Sequence, residues 1–356
     1  MSHNLLITGG AGFIGTNFVH FWLERHPRDR LIVLDALTYA GNKGNLDIFL
    51  GRENVVFVNG SICDQGLVER LFTEYKIDRV VNFAAESHVD RSIAGPDDFV
   101  NTNILGTYIL LKVAKINWLD NSVCNHLFHH ISTDEVYGSL QPEDAAFTES
   151  HQYAPNSPYS ATKAASDHLV RSYNRTYGLK VTTSNCSNNY GAFQFPEKLI
   201  PLCLINILEG KQLPIYGDGS QIRDWLHVRD HCRGIELIIE KGTIGQTYNI
   251  GGDNEWKNID VVTLICNTMN DLFKASRNLK TSFPQSPCAR DEDAKSLITY
   301  VEDRLGHDIR YAIDATRIKS ELNYSPAMTF EKGMKDTVEC YLKNKAWWTS
   351  IKERSN

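Results

Sequence analysis

The first half of the chain alternates short apolar runs of β type with segments of helical periodicity, and this alternation constrains the fold more than any other feature. Strands that are apolar on both faces must be covered on both faces, and helices on either side of a parallel sheet provide that cover. The alternation therefore predicts an α/β fold of the Rossmann type, with a doubly wound parallel sheet. The predicted strands are Leu5–Thr8, Leu31–Leu34, Val55–Val58, Arg79–Phe83, His126–Ile131 and Val181–Asn185, and the predicted helices are Phe13–Arg25, Gln65–Tyr75, Phe99–Ile116 and Tyr159–Tyr177.

A glycine-rich turn follows the first predicted strand. Gly9, Gly12 and Gly15 let the backbone turn sharply, approach a pyrophosphate and pack the next helix against the sheet. About twenty residues later the second strand ends at Asp35, whose carboxylate would accept hydrogen bonds from an adenosine ribose and repel a 2′-phosphate. This context predicts NAD rather than NADP, and the alternative is a structural turn with a solvated aspartate.

The alternation stops after about residue 187, which predicts a second, smaller part of the protein. Residues 188–223 are rich in Gly, Pro and aromatic residues, residues 224–251 return to a helix–strand pattern, and residues 282–292 are expected to form a surface excursion. Trp347 and Trp348 are expected to pack against the smaller part. The predicted division is a NAD-binding domain of residues 1–187, with returns at about 224–257 and 308–325, and an interleaved α/β substrate lobe of residues 188–223, 258–307 and 326–356.

The charge and the cysteine pattern exclude several classes of protein. The 356 residues carry a net charge of −6 without a Lys/Arg-rich run, which argues against a nucleic acid or an anionic membrane surface as partner. The N-terminus does not resemble a signal peptide, and no stretch approaches the roughly 20 apolar residues of a membrane span. The eight cysteines are scattered without a Cys-x-x-Cys pair, so we expect reduced thiols and a cytoplasmic protein.

Tyr159 and Lys163 lie four residues apart, on one face of a predicted helix. A free phenol has a pKa near ~10, which is too high for a base at neutral pH. A nearby ammonium group and the positive nicotinamide of oxidised NAD would both lower that pKa. After a dinucleotide-binding pattern, the pair indicates a catalytic phenol.

Two carboxyl side chains follow the predicted strand His126–Ile131. The carboxyl ends of parallel strands face the ligand crevice, so Thr133, Asp134 and Glu135 should project into it. Thr133 can hydrogen-bond a substrate hydroxyl beside Tyr159, and the two carboxyls can act as general acid and general base if their pKa values are split. The alternative is an acidic pair that caps a helix or forms a turn.

Two groups of histidines lack the accompanying carboxylates of a metal site. His227 and His231 are four residues apart, and three more histidines occupy one strand, at positions 126, 129 and 130. We expect them to pack or to hydrogen-bond, and we predict no metal site.

These motifs and several longer segments resemble a known family. The glycine turn and the Tyr159/Lys163 pair are similar to those of the extended short-chain dehydrogenase/reductase superfamily, the NAD-dependent epimerases and dehydratases. The similarity extends from about residue 4 to residue 342. The segments that resemble dTDP-glucose 4,6-dehydratases are Ala84–Ser92, Thr133–Glu135, Asn185–Gly191, Phe195–Pro201, Gln221–Trp225 and Tyr248–Gly252.

The resemblance implies a hydro-lyase of deoxysugar (rhamnose-type) nucleotide biosynthesis that converts dTDP-glucose to dTDP-4-keto-6-deoxyglucose and water. Tyr159 would take the 4-hydroxyl proton as hydride leaves carbon 4. Glu135 would then remove the carbon 5 proton while Asp134 protonates the departing 6-hydroxyl. Hydride would return to carbon 6, so NAD would end each turnover unchanged and stay tightly bound.

The same resemblance implies further ligand contacts and a homodimer. Helices Phe99–Ile116 and Tyr159–Tyr177 would pair across a two-fold axis in a four-helix interface. Arg223 suits a pyrophosphate because its planar fork can donate two hydrogen bonds at once. The implied cofactor contacts are Gly9, Gly12, Phe13, Ile14, Gly15, Asp35, Leu37, Thr38, Ser61, Ile62, Phe83, Ala84, Ala85, Ser87, Thr102, Tyr159, Lys163 and Asn189. The implied substrate contacts are Ser87, Thr133, Asn188, Lys198, Leu199, Pro214, Ile215, Tyr216, Arg223, Asn258, Arg304 and His307.

Three positions depart from the family's pattern, and two other functions compete with the one it implies. Ser61 stands where an aspartate usually holds the adenine amino group, and Ala192 and Leu305 replace prolines. The nearest rival is another NDP-sugar dehydratase or a 4-epimerase, although an epimerase has no use for the acid and base at 134 and 135. A non-catalytic NAD-binding protein is the rival from another class, and it should have lost the catalytic residues.

Overall fold

A computed structural model describes residues 2–303 and 306–355. Thirteen strands and thirteen α-helices are assigned within these ranges. The strands are β1 (Asn4–Thr8), β2 (Arg30–Asp35), β3 (Val55–Asn59), β4 (Arg79–Asn82), β5 (Leu127–Thr133), β6 (Val181–Cys186), β7 (Asn188–Tyr190), β8 (Leu213–Tyr216), β9 (Ile222–His227), β10 (Thr247–Ile250), β11 (Glu255–Lys257), β12 (Ile298–Val301) and β13 (Arg310–Tyr311). The helices are α1 (Phe13–Arg25), α2 (Gln65–Tyr75), α3 (Val89–Ala94), α4 (Asp97–Phe99), α5 (Thr107–Trp118), α6 (Pro158–Tyr177), α7 (Leu199–Glu209), α8 (Val228–Lys241), α9 (Asn258–Ala275), α10 (Arg277–Ser282), α11 (Thr316–Leu322), α12 (Phe330–Lys343) and α13 (Lys345–Ser355).

The main sheet has seven strands in the order β10-β6-β5-β4-β1-β2-β3, and each neighbouring pair is parallel. The Rossmann-type prediction is therefore confirmed. Strand β5 runs two residues further than predicted, because its pairing with β6 continues to Thr133 opposite Cys186. This extension carries the backbone of Ser132 and Thr133 to the carboxyl edge of the sheet, where ligands bind in folds of this type.

The predicted helix Phe99–Ile116 is wrong as a single α-helix. A π-helical segment, Val100–Gly106, separates α4 from α5. Within it Asn103 is buried, and its side chain accepts a hydrogen bond from the Glu86 backbone N–H (2.9 Å) and donates to the Glu86 carbonyl (3.1 Å) and the Thr162 hydroxyl (2.9 Å). The wider turn thus ties the loop after β4 to α6. Single π turns of this kind often lie beside functional sites.

The second half of the chain builds two small sheets and a second apolar core. Strand β9 pairs with β7, β11 and β13, and β8 pairs with β12. The predicted surface excursion at 282–292 is wrong in part, because Phe283 and Cys288 are buried in this core against α9. The division into a NAD-binding domain and a substrate lobe stays a prediction.

None of the helices within residues 2–303 and 306–355 is long and apolar enough to cross a bilayer.

Candidate active site

A cleft of about 350 Å³ opens at the carboxyl edge of the main sheet, over the glycine-rich turn. A Cβ atom on Gly15 would lie 2.2 Å from the Gly9 carbonyl oxygen, and one on Gly9, whose φ is +66°, would lie 2.7 Å from the Ala84 nitrogen. The chain therefore needs glycine at both positions. Helix α1 begins at this turn without a side-chain cap, so its first N–H groups are free to bind a pyrophosphate.

Asp35 lies at the end of β2, and its carboxylate organises the wall of the cleft. One oxygen accepts the Ala11 N–H (2.9 Å) and the other the Leu37 N–H (2.8 Å). Burial raises the pKa of Asp35, and these two hydrogen bonds oppose that rise. Leu37, predicted to contact the cofactor, thus orients Asp35, and its positive φ of 51° turns the chain away from β2.

The other predicted cofactor residues meet in this cleft. Ser61 is among them, and its hydroxyl accepts the Cys63 N–H (3.1 Å) as the chain turns toward α2. The residues that line the cleft are Gly9, Gly12, Phe13, Ile14, Gly15, Asp35, Thr38, Ser61, Ile62, Phe83, Ala84, Ala85, Ser87, Thr102, Tyr159, Lys163 and Asn189. The glycine turn, the buried Asp35 carboxylate and the cleft that they line together fit a dinucleotide.

Thr133 ends β5, Asp134 and Glu135 follow it, and all three line the same cleft. A short 3₁₀ helix, Asp134–Tyr137, starts here, and its N-cap is the Thr133 hydroxyl, which accepts the Glu135 N–H (3.3 Å). The alternative to catalysis was that Asp134 and Glu135 cap a helix or form a turn. The residue that caps this 3₁₀ helix is instead Thr133. One oxygen of Asp134 accepts from Thr133 (3.3 Å), whereas the other is buried without a hydrogen-bond partner among the described residues.

The environment of Asp134 favours the protonated form of its carboxyl. Its side chain is only 2% exposed. Burial, the Glu135 charge and the Asp224 charge together raise the pKa of Asp134 well above its usual value. A neutral carboxylic acid beside a second carboxyl group is the arrangement that a general acid and general base require.

Helix α6 brings Tyr159 and Lys163 to the cleft. A capping box formed by Ser157 and Ser160, with Pro158 in the first turn, fixes where the helix starts. The Lys163 ammonium donates to the Ile131 carbonyl (2.6 Å), which places it below the end of β5. Tyr159 and Lys163 both line the cleft, on the side of Thr133.

The pKa of Tyr159 differs from the sequence-based expectation. Burial, together with the charge of Glu135, raises the pKa of Tyr159 well above its usual value, while a hydrogen bond with Thr133 opposes the rise. Burial also lowers the pKa of Lys163. The Lys163 ammonium donates its hydrogen bond to the Ile131 backbone carbonyl. Because burial raises the pKa of Tyr159, the surrounding protein by itself favours the neutral form of its phenol.

A second cleft of about 270 Å³ joins the first and is lined by residues from both halves of the chain. The predicted substrate residues that line it are Ser87, Asn188, Lys198, Leu199, Pro214, Ile215, Tyr216, Arg223, Asn258 and His307. Thr133 lies in the first cleft instead, and Arg304, like Leu305, lies outside the described residues. Glu135 lines both clefts, which places its side chain where they meet.

Arg223 is the buried cation of the second cleft. Its guanidinium donates to the Ile222 carbonyl (2.8 Å) and the Asp308 carbonyl (3.0 Å) and lies 4.4 Å from the centre of the Tyr311 ring. Burial lowers the pKa of Arg223, and the nearby acidic groups oppose that effect. The two hydrogen bonds and the contact with the Tyr311 ring hold the guanidinium rigidly, in a position suited to an anionic ligand.

Sequence reasoning missed several residues that line these clefts. Gln194 and Glu197 line both clefts, and Tyr311 lines the second. Gln194 and Glu197 adjoin or lie within the Phe195–Pro201 segment, whose resemblance to the family could have indicated them. Tyr311 lies in β13 and reaches the site because β13 pairs with β9. No local sequence pattern predicts this pairing.

The histidines are hydrogen-bonded in the structure. His129 contacts the hydroxyls of Thr182 (2.9 Å) and Ser184 (3.1 Å), and His231 contacts Asn189 (2.9 Å). One group with metal-ligand spacing occurs within residues 2–303 and 306–355, formed by His26, Glu236 and Glu240. Arg25 already forms an ion pair with Glu236 there, at 2.5 Å.

Comparison with known proteins places the chain among sugar-nucleotide dehydratases. The model of the GDP-mannose 4,6 dehydratase family matches residues 6–337. The dTDP-glucose 4,6-dehydratase of Neisseria meningitidis serogroup B is 50% identical over 352 residues, which are 98% of this chain and 95% of that protein. The expected resemblance to dTDP-glucose 4,6-dehydratases is thus confirmed.

Solved structures agree with the sequence relatives. A dTDP-glucose 4,6-dehydratase from Streptomyces venezuelae, solved with NAD and dTDP bound, matches with a TM-score of 0.87 and 44% identity, over 98% of this chain and 99% of that chain. A UDP-glucose 4-epimerase from Thermotoga maritima matches with a TM-score of 0.81 and 28% identity, over 96% of this chain and 99% of that chain. The chain therefore belongs to the GDP-mannose 4,6 dehydratase family, alongside the dTDP-glucose 4,6-dehydratases it matches.

Proposed function

We propose that this protein is an NAD-dependent hydro-lyase that converts dTDP-glucose to dTDP-4-keto-6-deoxyglucose. The observation that carries the proposal is the buried carboxyl of Asp134, only 2% exposed, next to Glu135. A 4-epimerase needs Tyr159 and Lys163 but neither a general acid nor a general base at these positions. The pair also separates this protein from a sensor that only binds NAD.

Bound NAD would accept hydride from carbon 4 of the sugar and later return it to carbon 6. The residues around the first cleft would hold it, with the pyrophosphate at the glycine turn and the adenosine ribose at Asp35. Its positive nicotinamide would lie near Tyr159 and offset the burial that favours the neutral phenol. Because the cycle is redox-neutral, the enzyme has no need to release the cofactor between turnovers.

Each proton movement has a group in place. Tyr159, hydrogen-bonded to Thr133 and in the same cleft as the Lys163 ammonium, takes the proton of the 4-hydroxyl as a phenolate. Glu135, where the two clefts meet, removes the proton at carbon 5, which the new ketone has acidified. Asp134 gives its proton to the hydroxyl that leaves carbon 6, and a proton returns to carbon 5 when hydride is added at carbon 6.

The second cleft would bind the nucleotide diphosphate. Arg223 is the rigid cation for the pyrophosphate, and Lys198, whose ammonium donates to the Ser87 carbonyl (3.3 Å), is a further cation in the same cleft. The choice of dTDP over another nucleotide rests on the likeness to the dTDP-glucose enzymes. The domain division predicted above follows the same plan, with the cofactor on the main sheet and the nucleotide on the smaller lobe.

The test is a substrate panel with the purified protein. Incubation with dTDP-, UDP-, GDP- and CDP-glucose should give the alkali-induced absorbance of a 4-keto product fastest with dTDP-glucose. Substrate deuterated at carbon 4 should yield product deuterated at carbon 6. Formation of dTDP-galactose, or turnover that prefers another nucleotide, would contradict the proposal.

Asp134 should set an alkaline limit on turnover. The raised pKa means that Asp134 holds its proton to a higher pH than an ordinary carboxyl does and loses it as the pH rises, so proton donation declines on the alkaline side. Asp134→Asn cannot donate, and we expect kcat to fall about 10²-fold and to lose this alkaline decline. The measurement is kcat against pH with saturating dTDP-glucose. Asp144→Asn, in an exposed turn, is the control, and an Asp134→Asn variant that keeps the wild-type alkaline limb would refute the assignment.

We also propose a homodimer formed through α5, α6 and the π segment between α4 and α5, in a cytoplasmic protein. Large apolar side chains are exposed on these elements, among them Leu105 (45%), Tyr108 (39%) and Tyr177 (48%). Leu105→Arg would bury an unpaired charge in the interface and should convert the dimer to a monomer. Light scattering after size exclusion measures the mass. Ile244→Arg, at a site equally exposed (43%) but outside these helices, should stay dimeric, and a dimeric Leu105→Arg variant would exclude this interface.

A further inference from the structure

Two adjacent tryptophans of α13 have different partners. Trp348 is 2% exposed, lies in the core of the smaller lobe and donates to the Tyr341 carbonyl (3.0 Å). Trp347 instead donates its indole N–H to the side-chain oxygen of Asn45 (2.7 Å), in the first half of the chain. Both tryptophans pack against the second apolar core, as expected, and the bond to Asn45 is an additional contact of Trp347. Trp347 also lies beyond residue 337, where the match to the family model ends.

Asn45 connects Trp347 to the glycine-rich turn. Its side chain is buried (5% exposed), and its amide N–H donates to the Ala11 carbonyl (3.2 Å). Ala11 lies between Gly9 and Gly15, and its own N–H donates to Asp35. A single residue thus separates the indole of Trp347 from the backbone that approaches the pyrophosphate.

The ring of Trp347 makes a second contact, with the loop between the two clefts. It meets the Phe193 ring edge to face, at 5.7 Å between centroids and 82° between planes. Phe193 has a φ of +64°, an unfavourable conformation for a residue with a Cβ, so its neighbours must hold it. Gln194, the next residue, lines both clefts and donates to the Asn189 carbonyl (3.0 Å), while Tyr341 of α12 donates to the Gln194 carbonyl.

We propose that Trp347 is a positioning residue for the cofactor: through Asn45 and Phe193 it holds the glycine-rich turn and the Phe193–Gln194 corner in the conformation that binds a dinucleotide. The C-terminal helix thereby limits the rate at which the bound cofactor escapes. This inference rests on the proposed NAD binding. It assigns no chemistry to Trp347, which does not line either cleft.

The matched pair Trp347→Phe and Trp348→Phe tests the inference. Each variant loses one indole N–H from neighbouring positions of one helix, but only Trp347 contacts Asn45. The NAD content of the purified proteins and the Kd of NAD for the stripped proteins are measured, with the unfolding midpoint as a check on folding. For Trp347→Phe we expect the Kd to rise about fivefold, as the loss of one hydrogen bond implies. Saturating NAD should restore its kcat, and Trp348→Phe should bind NAD as the wild type does.

Asn45→Ala provides a second, independent variant. It removes the same link from the other side, so the double variant should bind NAD no more weakly than the weaker single variant. Wild-type affinity in Trp347→Phe, equal losses in the two tryptophan variants, or fully additive losses with Asn45→Ala would each overturn the inference. A wild-type protein that binds no NAD at all would refute the proposed function instead, so the two failures are distinguishable.

Discussion

Glu135→Gln should bind NAD as the wild type does, oxidise the sugar at carbon 4 and then stop. Tyr159, Thr133 and Lys163 remain in place for the first step, but an amide cannot remove the proton from carbon 5. We expect turnover to 4-keto-6-deoxy product to fall about 10²- to 10⁴-fold, the usual contribution of a general base. The absorbance of reduced NAD should appear when dTDP-glucose is added and should persist, because elimination no longer consumes the 4-keto sugar.

Solvent exchange gives Glu135→Gln a second readout. In deuterated water the wild type should place deuterium at carbon 5, whereas the variant should leave that position protonated in recovered sugar. Glu143→Gln makes the same chemical change at an exposed position of the loop after β5 and should behave as the wild type does. Normal turnover in Glu135→Gln would remove this residue from the mechanism and leave the elimination without a base.

Tyr159→Phe should stop the reaction one step earlier. Without the phenol the 4-hydroxyl keeps its proton and hydride cannot leave carbon 4, so turnover should fall about 10²- to 10⁴-fold. Reduced NAD should not accumulate, in contrast to Glu135→Gln. The NAD content should stay at the wild-type level, because the glycine turn and Asp35 are unchanged.

The control for Tyr159→Phe lies on the same helix. Tyr173 is also buried in α6, but it packs against Tyr177 at a ring distance of 5.1 Å, away from the cleft. Tyr173→Phe should keep full activity. A Tyr159→Phe variant that still accumulates reduced NAD on addition of dTDP-glucose would show that another group takes the 4-hydroxyl proton.

The two variants together separate dehydration from epimerisation. An epimerase would lose activity with Tyr159→Phe and would be indifferent to Glu135→Gln, whereas a dehydratase loses product formation in both. The pattern of reduced NAD, present in one and absent in the other, assigns the residues to successive steps. A protein that merely bound NAD would show neither response.

The sequence by itself determined the features that depend on local periodicity or on one residue type. The alternation of apolar strands with helices was enough to predict the parallel sheet. The apolar strands and the helices that cover them can each be recognised within their own segment. The glycine turn was recognisable because only glycine allows the close approaches at positions 9 and 15. Asp35 was recognisable from its place at the end of the second strand. The Tyr159/Lys163 pair follows from helical spacing alone.

Only the tertiary structure decided how these groups are tuned and held. The pKa of Asp134 is raised because burial removes water and because the charges of Glu135 and of Asp224 in β9 lie near it, and neither the burial nor the Asp224 charge follows from residues near 134. The π segment at Val100–Gly106 depends on Asn103 reaching Glu86 and Thr162 in other elements. Trp347 meets Asn45 across 302 residues of sequence. Local patterns specify elements and ligand types, whereas protonation states and supporting contacts arise from long-range packing, which no single segment encodes.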